Sequence, residues 1–546
     1  MSKPALDYVV IGSGFGGSVS AMRLTEKGYR VLVLERGKRF RDEDFPRTNW
    51  NVFRYLWFPV ARCFGIQEIS FMNDIMVLHG SGVGGGSLVY ANVLMEPSDA
   101  LFEAPGWRDL ADWKTLLRPH YDTARRMLGV ASNPFFTPAD RVLKQIAAEK
   151  GREHTYRQAN VGIFFGTPDQ TVADPYFGGE GPERTGCNGC GGCMVGCRFG
   201  AKNTLVKNYL YFAEKHGAEI RAESEVVDIR PLPEGQADGA RYEVVYRRST
   251  AGLFDRRRYT VRARNVVVSA HALGTMRLLF RCRDVNGSLP KLSQTLGTKV
   301  RTNSEALVGS TSWDTGTDYS TGPAITSIFA LDDVTQVEPV RYPRGSSFMR
   351  LLAIPMIEGA ETIFKRILKT IWHGITHPVE FFYAKFFSRW AERSTILLIM
   401  QTEESTMRVR LGRNVFTAFR RGMVSELPKG VSLSPDEKLS HGLTHEFAKR
   451  TKGIAQDTIP EAMLGIPATA HLIGGCPIGS SAADGVVNTR CEVFDYPGLY
   501  VIDGSIIPAN PGVNPSLTIT ALAEYAMSHI PERAGAGVEE KVVIGS

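Results

Sequence analysis

Residues 7–36 read Asp7-Tyr-Val-Val-Ile-Gly-Ser-Gly-Phe-Gly-Gly-Ser-Val-Ser-Ala-Met-Arg-Leu-Thr-Glu-Lys-Gly-Tyr-Arg-Val-Leu-Val-Leu-Glu35-Arg36, and this order decides the fold. Residues 8–11 are a short apolar, β-branched run of the kind that forms a buried parallel strand. Gly12, Gly14 and Gly17 follow as G-x-G-x-x-G, with Phe15 and Gly16 inside the turn. The first glycine permits the tight turn, the second lets the backbone approach a pyrophosphate, and the third lets the helix pack on the strand. The helix start offers free N–H groups and a positive dipole end to that phosphate. Residues 31–34 form a second strand. Glu35, which ends it, stands where an acid accepts from both ribose hydroxyls, and Arg36 follows. The acid selects an unphosphorylated ribose, hence FAD or NAD. The position of the motif at the start of the chain leans towards FAD.

The bulk numbers bound the rest. A chain of 546 residues exceeds one simple core, so two or more domains are expected. Hydrophobic residues at 43% and charged residues at 22% suit a soluble globular protein. The 64 basic and 57 acidic residues leave +7, a mild excess that suits an anionic membrane surface or no partner in particular. No basic run with interleaved stacking aromatics points to nucleic acid. No secretory apolar segment and no uninterrupted apolar run of spanning length is present, which predicts a cytoplasmic protein.

Outward from the first motif, Leu78-His-Gly-Ser-Gly-Val-Gly-Gly-Gly-Ser-Leu-Val-Tyr-Ala-Asn92 carries five glycines between Gly80 and Gly86. Such a run makes neither a stable helix nor a strand, and it brings backbone N–H groups close to a flat or anionic ligand. This block resembles the second flavin-binding segment of the glucose–methanol–choline (GMC) oxidoreductases. The resemblance implies cofactor contacts from Gly80, Gly84, Gly85, Gly86, Ser87 and Asn92. Family members with covalent FAD carry a histidine just before the asparagine. Tyr90 and Ala91 stand there instead, which implies non-covalent FAD. Asn265-Val-Val-Val-Ser-Ala-His-Ala-Leu-Gly-Thr-Met-Arg-Leu-Leu279 reads as buried strand, tight turn and helix. It resembles the flavoprotein segment that returns beneath the cofactor and adds Ala270 and His271, with Val227 from the preceding strand pattern. The family usually has a small residue where His271 sits, so this imidazole is either a satisfied turn residue or a cofactor contact.

The C-terminal block holds His471-Leu-Ile-Gly-Gly-Cys-Pro and, after the strand-like residues 499–502, Asp503-Gly-Ser-Ile-Ile-Pro-Ala-Asn-Pro-Gly-Val-Asn514-Pro515. Pro508, Pro511, Gly512 and Pro515 stiffen this loop so that it can hold a side chain in place. Both segments are similar to the C-terminal signature of the family, above all to its bacterial cholesterol-oxidase-like members. The resemblance makes His471 and Asn514 the catalytic pair, with Asn510 the alternative asparagine, and places Asp503, Gly504 and Pro515 at the cofactor. The chemistry suits them. Oxidising an alcohol moves a hydride from carbon to flavin N5 and a proton from the hydroxyl. A histidine within hydrogen-bond reach can take that proton, and a neutral amide can orient the hydroxyl. Relatives that also isomerise their product use a glutamate as a second base, for which Glu403 and Glu404 are the candidates against a reading as exposed acids.

Gly186-Cys187-Asn-Gly-Cys190-Gly-Gly-Cys193-Met-Val-Gly-Cys197 has the spacing C-x2-C-x2-C-x3-C, that of a bacterial ferredoxin run without its closing proline. Cys187, Cys190, Cys193 and Cys197 are the candidate ligands of an iron–sulfur cluster, [4Fe-4S] or [3Fe-4S]. Four-thiolate zinc and a metal-free glycine loop are the alternatives. A cluster would favour a dehydrogenase passing electrons outward, and bare FAD an oxidase using dioxygen.

Residues 98–185 alternate helical patterns with Pro/Gly-rich loops, and 218–230 and 241–269 alternate as antiparallel strands do. In 360–391 the apolar Ile363, Phe364, Ile367, Leu368, Ile371, Trp372 and Ile375 share one helical face opposite Lys365, Arg366, Lys369 and His373. Such a helix packs on its own core or lies on a bilayer surface. The aromatic stretch 50–66 is either core or the lining of an apolar entrance.

The expected architecture is α/β (α+β over the whole chain). A discontinuous Rossmann-like FAD domain takes 1–97, 186–294 and 466–546. A substrate domain on a mostly antiparallel sheet takes 98–185 and 295–465. The expected function is oxidation of a steroid or other bulky apolar alcohol, with dioxygen or an external acceptor and with contact to a membrane surface. The alternatives are a long-chain, terpenoid or sugar dehydrogenase of the same family, and a flavin/iron–sulfur electron-transfer protein with no alcohol substrate.

Overall fold

A computed structural model describes residues 5–534 apart from 253–254, 359–361 and 388. The ends of the 360–391 insertion and of the C-terminal segment expected to reach 546 therefore lie partly outside the described residues.

The first sheet forms around β1 (Leu6–Ile11), α1 (Phe15–Glu26) and β2 (Val31–Leu34). β1 and β2 run parallel with Tyr8 opposite Val31 and Ile11 opposite Leu34. Both strands are buried on both faces, which is why they read as unbroken apolar runs. β3 (Glu219–Arg221) extends β2 in parallel. β4 (Ser224–Pro231), β5 (Tyr242–Arg248) and β6 (Tyr259–Val268) form an antiparallel meander. The last turn of β6 lies parallel to β1 on one side and to the C-terminal strand Leu499–Val501 on the other. Strands from near the two ends of the chain thus flank β6. β3 departs from the expected pattern: its alternation reads as antiparallel, but it pairs parallel at the sheet edge.

α2 (His271–Phe280) leaves the end of β6. The second sheet is antiparallel throughout. β7 (Ala306–Ser312), β8 (Ser327–Ala330), β9 (Thr335–Val340), β10 (Ser394–Gln401) and β11 (Gly453–Thr458) are ordered β11-β7-β10-β9-β8. The short strands Ala353–Pro355 and Arg157–Gln158 close its two edges. β10 carries apolar side chains on both faces, with one cluster on each. Val337, Leu397 and Ile399 pack outward under the helix Glu437–Arg450, and Val340, Leu398 and Met400 pack inward.

Between β9 and β10 lies α3 (Ile363–Thr376), followed by Pro378–Phe382. Thr362 caps α3 by accepting from the Lys365 N–H, and within the helix only Thr370 is buried. Ile363, Phe364, Leu368, Ile371, Trp372 and Ile375 face outward, with Phe364 70% exposed. Of the two readings of this helix, packing on the core is the one these residues do not follow. The stretch 50–66 divides: Tyr55, Trp57 and Ile66 are buried, while Trp50, Phe53 and Phe58 are exposed. Among the described residues no helix is long and apolar enough to cross a membrane.

Candidate active site

The carboxyl ends of β1, β6 and Leu499–Val501 converge, as ligand sites do in open α/β sheets. Gly12 takes φ +96°, and a Cβ there would stand 2.2 Å from Ser269 O. A Cβ on Gly16 would stand 1.8 Å from Ile502 O, and one on Gly17 would stand 2.1 Å from Gly12 O. These glycines exist for backbone packing. Gly14 is different: no protein atom lies within 4 Å of its missing Cβ, and it faces a cavity. As N-cap of α1 it makes no side-chain capping bond, which leaves the first-turn N–H groups for a ligand. Such a cradle fits the pyrophosphate of a dinucleotide.

Of the expected cofactor residues, Gly12, Gly14, Phe15, Gly16, Glu35, Arg36, Gly80, Gly85, Gly86, Ala270, His271, Asp503, Gly504, Asn514 and Pro515 line this cavity. Five do not. Gly17 sits beneath the loop. Gly84 turns it at φ +105°, and the Ser87 hydroxyl donates to Gly84 O at 2.7 Å. Asn92, at φ +72°, is buried beneath the segment. Val227 does not line the cavity; Ser224, Glu225 and Val226 do, and the pairing of this strand shifts between Val226 and Asp228.

Glu35 is buried, and its carboxylate accepts from Ser13 N–H (3.1 Å), Ser13 O–H (2.7 Å) and Gly37 N–H (2.8 Å). Of the alternatives for His271, the satisfied turn residue fails. It takes φ +67°, its Nδ1 has no partner, and its ring stacks on His79 with centroids 5.0 Å apart and planes 5° apart. Burial, then the neighbouring His79, lowers its pKa to about 3, so it is neutral. His79 is likewise held well below the ordinary histidine value, by burial and then by Arg36.

At the other end of the cavity stand His471 and Asn514, with His471 Nε2 3.4 Å from Asn514 Nδ2. The short strand Ala468–Thr469 pairs parallel with Met76–Gly80 and delivers His471 to this point. The Asn514 loop is clasped by Asn303, whose Oδ1 accepts from Gly512 N–H (2.9 Å) and whose Nδ2 donates to Val513 O (3.2 Å). Glu305, which the sequence reading missed, is fully buried and pairs with His471 Nδ1. Its other oxygen accepts from the Thr469 hydroxyl and the Ala470 N–H, each at 2.8 Å. Its only sequence signal is the polar run Arg301-Thr-Asn-Ser-Glu305 just before a buried strand.

Asn510 is removed from the active-site role, because its amide is spent on Asn303 N–H (3.1 Å) and Glu403 O (2.7 Å). Glu403 and Glu404 do not line the cavity. Glu404 pairs with the buried Arg301 and is itself 45% exposed, so the reading as outlying acids holds.

The cysteine run does not converge. All four thiols are free, and among the described residues no three of His, Cys, Asp or Glu are placed to hold a metal ion. Burial first, then the neighbouring Cys193, pushes Cys187 and Cys190 up to about 12. Cys193 accepts from Ala324 N–H at 3.4 Å. The buried Lys202 ammonium ties the loop down, donating to Cys193 O (2.8 Å), Tyr90 O (2.9 Å) and Leu88 O (3.1 Å). These residues do not fit an iron–sulfur or zinc centre. They brace the second glycine segment from behind.

Sequence patterns described as GMC oxidoreductase match residues 181–282 and 432–523, and one described as NAD(P)-binding Rossmann-like domain matches residues 10–49. The chain is 45% identical to a cholesterol oxidase of Acinetobacter baumannii over 96% of its length and 94% of that protein. It is 43% identical to a cholesterol oxidase of Mycobacterium tuberculosis over 97% and 92%. A solved structure, pyridoxine 4-oxidase from Mesorbium loti, superposes with a TM-score of 0.59 at 17% identity, covering 96% of this chain and 99% of that one.

Proposed function

We propose that this FAD-dependent alcohol oxidoreductase, which belongs to the GMC oxidoreductase family, oxidises the secondary hydroxyl of a steroid or similarly bulky apolar alcohol, with His471 as general base. The observation that carries the reading is the row Glu305–His471–Asn514 at the cavity wall. Glu305 accepts from Nδ1–H of His471, which leaves Nε2 as the bare acceptor facing Asn514 Nδ2. An alcohol oxygen placed between them donates its proton to Nε2 and accepts from Nδ2. The imidazolium that forms is stabilised by the Glu305 carboxylate, and negative charge on oxygen by the amide. Bound FAD supplies the two-electron acceptor, and Gly14, Glu35 and the Gly80–Gly86 segment would hold it. Tyr90 and Ala91 offer no histidine for a covalent link, which supports a non-covalent cofactor. The relatives' oxidase names support dioxygen as the final acceptor.

Val340, Ile396, Leu398, Tyr342, Met349 and Trp390 give the far wall an apolar lining suited to a rigid hydrocarbon skeleton. Met349, Leu352 and Ala353 of that wall lead by sequence into the exposed face of α3. The apolar residues and interspersed Lys/Arg of α3 suit a protein that draws its substrate from an anionic bilayer.

The test is anaerobic flavin bleaching against sterols, fatty alcohols and sugars. Sterols are expected to bleach the flavin fastest; bleaching by a sugar alone overturns the substrate class. In His471→Ala the yellow flavin should stay bound while reduction by substrate is mostly lost. Near-normal reduction rules out the base.

A further inference from the structure

The apolar far wall of the cavity is interrupted by an amide. Gln456 of β11 pairs with Gly309 of β7, and Gly309 pairs on its other side with Ile396 of β10. All three line the cavity, and residues paired across neighbouring strands share a face of the sheet. Gly309 stands four residues beyond Glu305, about 13 Å along an extended strand, and Glu305 is the partner of His471. The row Gln456–Gly309–Ile396 therefore crosses the sheet well away from the catalytic pair, on the side where Trp390 also lines the wall.

The orientation of this amide is fixed. Oε1 of Gln456 accepts from the Trp390 indole N–H at 3.2 Å and from the Thr311 hydroxyl at 2.8 Å. The Ser394 hydroxyl lies 2.6 Å from that of Thr311, and it donates there because Thr311 spends its own proton on Gln456. An indole nitrogen only donates, so an inverted amide would set NH2 against N–H. Nε2 is thus held on the opposite side. Gln456 is 4% exposed, and among the described residues its Nε2 has no hydrogen-bond partner. A buried donor of this kind has given up its hydration with no bond in return. Gly309 brings no side chain to cover it. Three side chains are spent on aiming an amide whose donor end stays free in a cavity wall.

We propose that Gln456 recognises a second oxygen on the substrate: the alcohol oxidised at His471 belongs to a rigid apolar skeleton whose opposite end carries a neutral acceptor, a ketone, that takes the Nε2–H. The inference rests on the alcohol-oxidation reading and narrows its substrate class, from any sterol to a hydroxysteroid oxygenated on its terminal ring. The acceptor is neutral because an ionised one would need a counter-charge that an amide does not supply. The contact lies far from the reacting carbon and is the same in the bound substrate and the transition state. It therefore acts on KM and not on kcat.

The experiment uses FAD-loaded protein and two steroids that share the 3-hydroxyl, one with a hydrocarbon side chain on the terminal ring and one with a ketone there. In anaerobic flavin reduction, Gln456→Leu should lower kcat/KM for the ketone about ten-fold more than for the sterol, through KM. An equal loss on both, the mark of a merely structural residue, overturns the proposal, and so does no loss on either. Because the two substrates are compared within one variant, reduced folding cancels from the ratio. Binding is read separately with the terminal-ring ketone that lacks the 3-hydroxyl, by the change it makes in the flavin spectrum. Its affinity should fall about ten-fold in Gln456→Leu, and an unchanged affinity overturns the proposal. If that affinity falls but no alcohol bleaches the wild type, the oxygen-recognising amide stands and the alcohol-oxidation reading falls.

Discussion

Replacing Glu305 by glutamine isolates the contribution of the buried carboxylate with almost no change in volume. The carboxylate oxygens of Glu305 meet two fixed donors on one side, Thr469 O–H and Ala470 N–H at 2.8 Å each, and His471 Nδ1 on the other. In Glu305→Gln the amide oxygen stays with the two donors, because an NH2 group facing them leaves the Ala470 N–H without an acceptor, at about 1–3 kcal/mol, even though the Thr469 hydroxyl can turn to Thr302 O at 3.0 Å. The new NH2 group then faces Nδ1 and forces it to become an acceptor. The ring proton moves to Nε2, the atom that has to receive the hydroxyl proton. The base is lost while the ring stays in place, and a general base contributes roughly 10²–10⁴-fold. Anaerobic stopped-flow reduction of the flavin should slow by about that factor. Flavin content should be unchanged, because Glu305 is not among the residues that line the cavity. A Glu305→Gln variant that retains bound flavin and reduces it within about three-fold of the wild type refutes the tautomer argument, since the wrong-tautomer penalty of a base this size cannot be that small.

Gly14→Ala and Gly16→Ala should separate cofactor space from packing. The first meets no protein atom within 4 Å, so apoprotein melting should hold while FAD affinity falls; the second meets Ile502 O at 1.8 Å and should lower the melting temperature itself. Phe364→Asp combined with Trp372→Asp on the exposed face of α3 should abolish co-sedimentation with anionic vesicles. At about 1.5–3 kcal/mol for each buried aromatic, the loss is two to four orders of magnitude in partitioning, while turnover of detergent-dispersed substrate stays unchanged. The carboxyl of Glu461 lies beneath the surface beside Asp457, and burial first raises it to about 7. A raised acid stabilises the fold below its unfolded value, near 4.5, and that contribution is lost as pH rises through about 7. Glu461→Gln should therefore gain up to about 3 kcal/mol in chemical denaturation at pH 8 and nothing at pH 4.

What the sequence made legible follows from how each part works. Gly12, Gly14 and Gly17, the Gly80–Gly86 run and the stiff 503–515 loop act through their backbones, and backbone geometry leaves a local signature because only glycine and proline supply it. His471 and Asn514 lie in such loops and were named with them. Glu305 was not legible. It is one acid just before a strand, and its role comes from Thr469, Ala470 and His471, 164 to 166 positions away, which packing brings to it. Val227 was displaced by one position because the pairing of β4 with β5 shifts between Val226 and Asp228, an irregularity that strand period does not foretell. The cysteine run erred in the opposite direction. Its spacing is strong, but spacing says only that four thiols can meet. Lys202, five residues beyond Cys197, decides otherwise. A buried ammonium needs acceptors, and it finds them in the carbonyls of Leu88, Tyr90 and Cys193. These bonds pin the loop to the second glycine segment. The ligand-like motif and the flavin-binding motif are therefore one structural unit, and the lysine that joins them carries no pattern by which sequence alone could have ranked it above the cysteines.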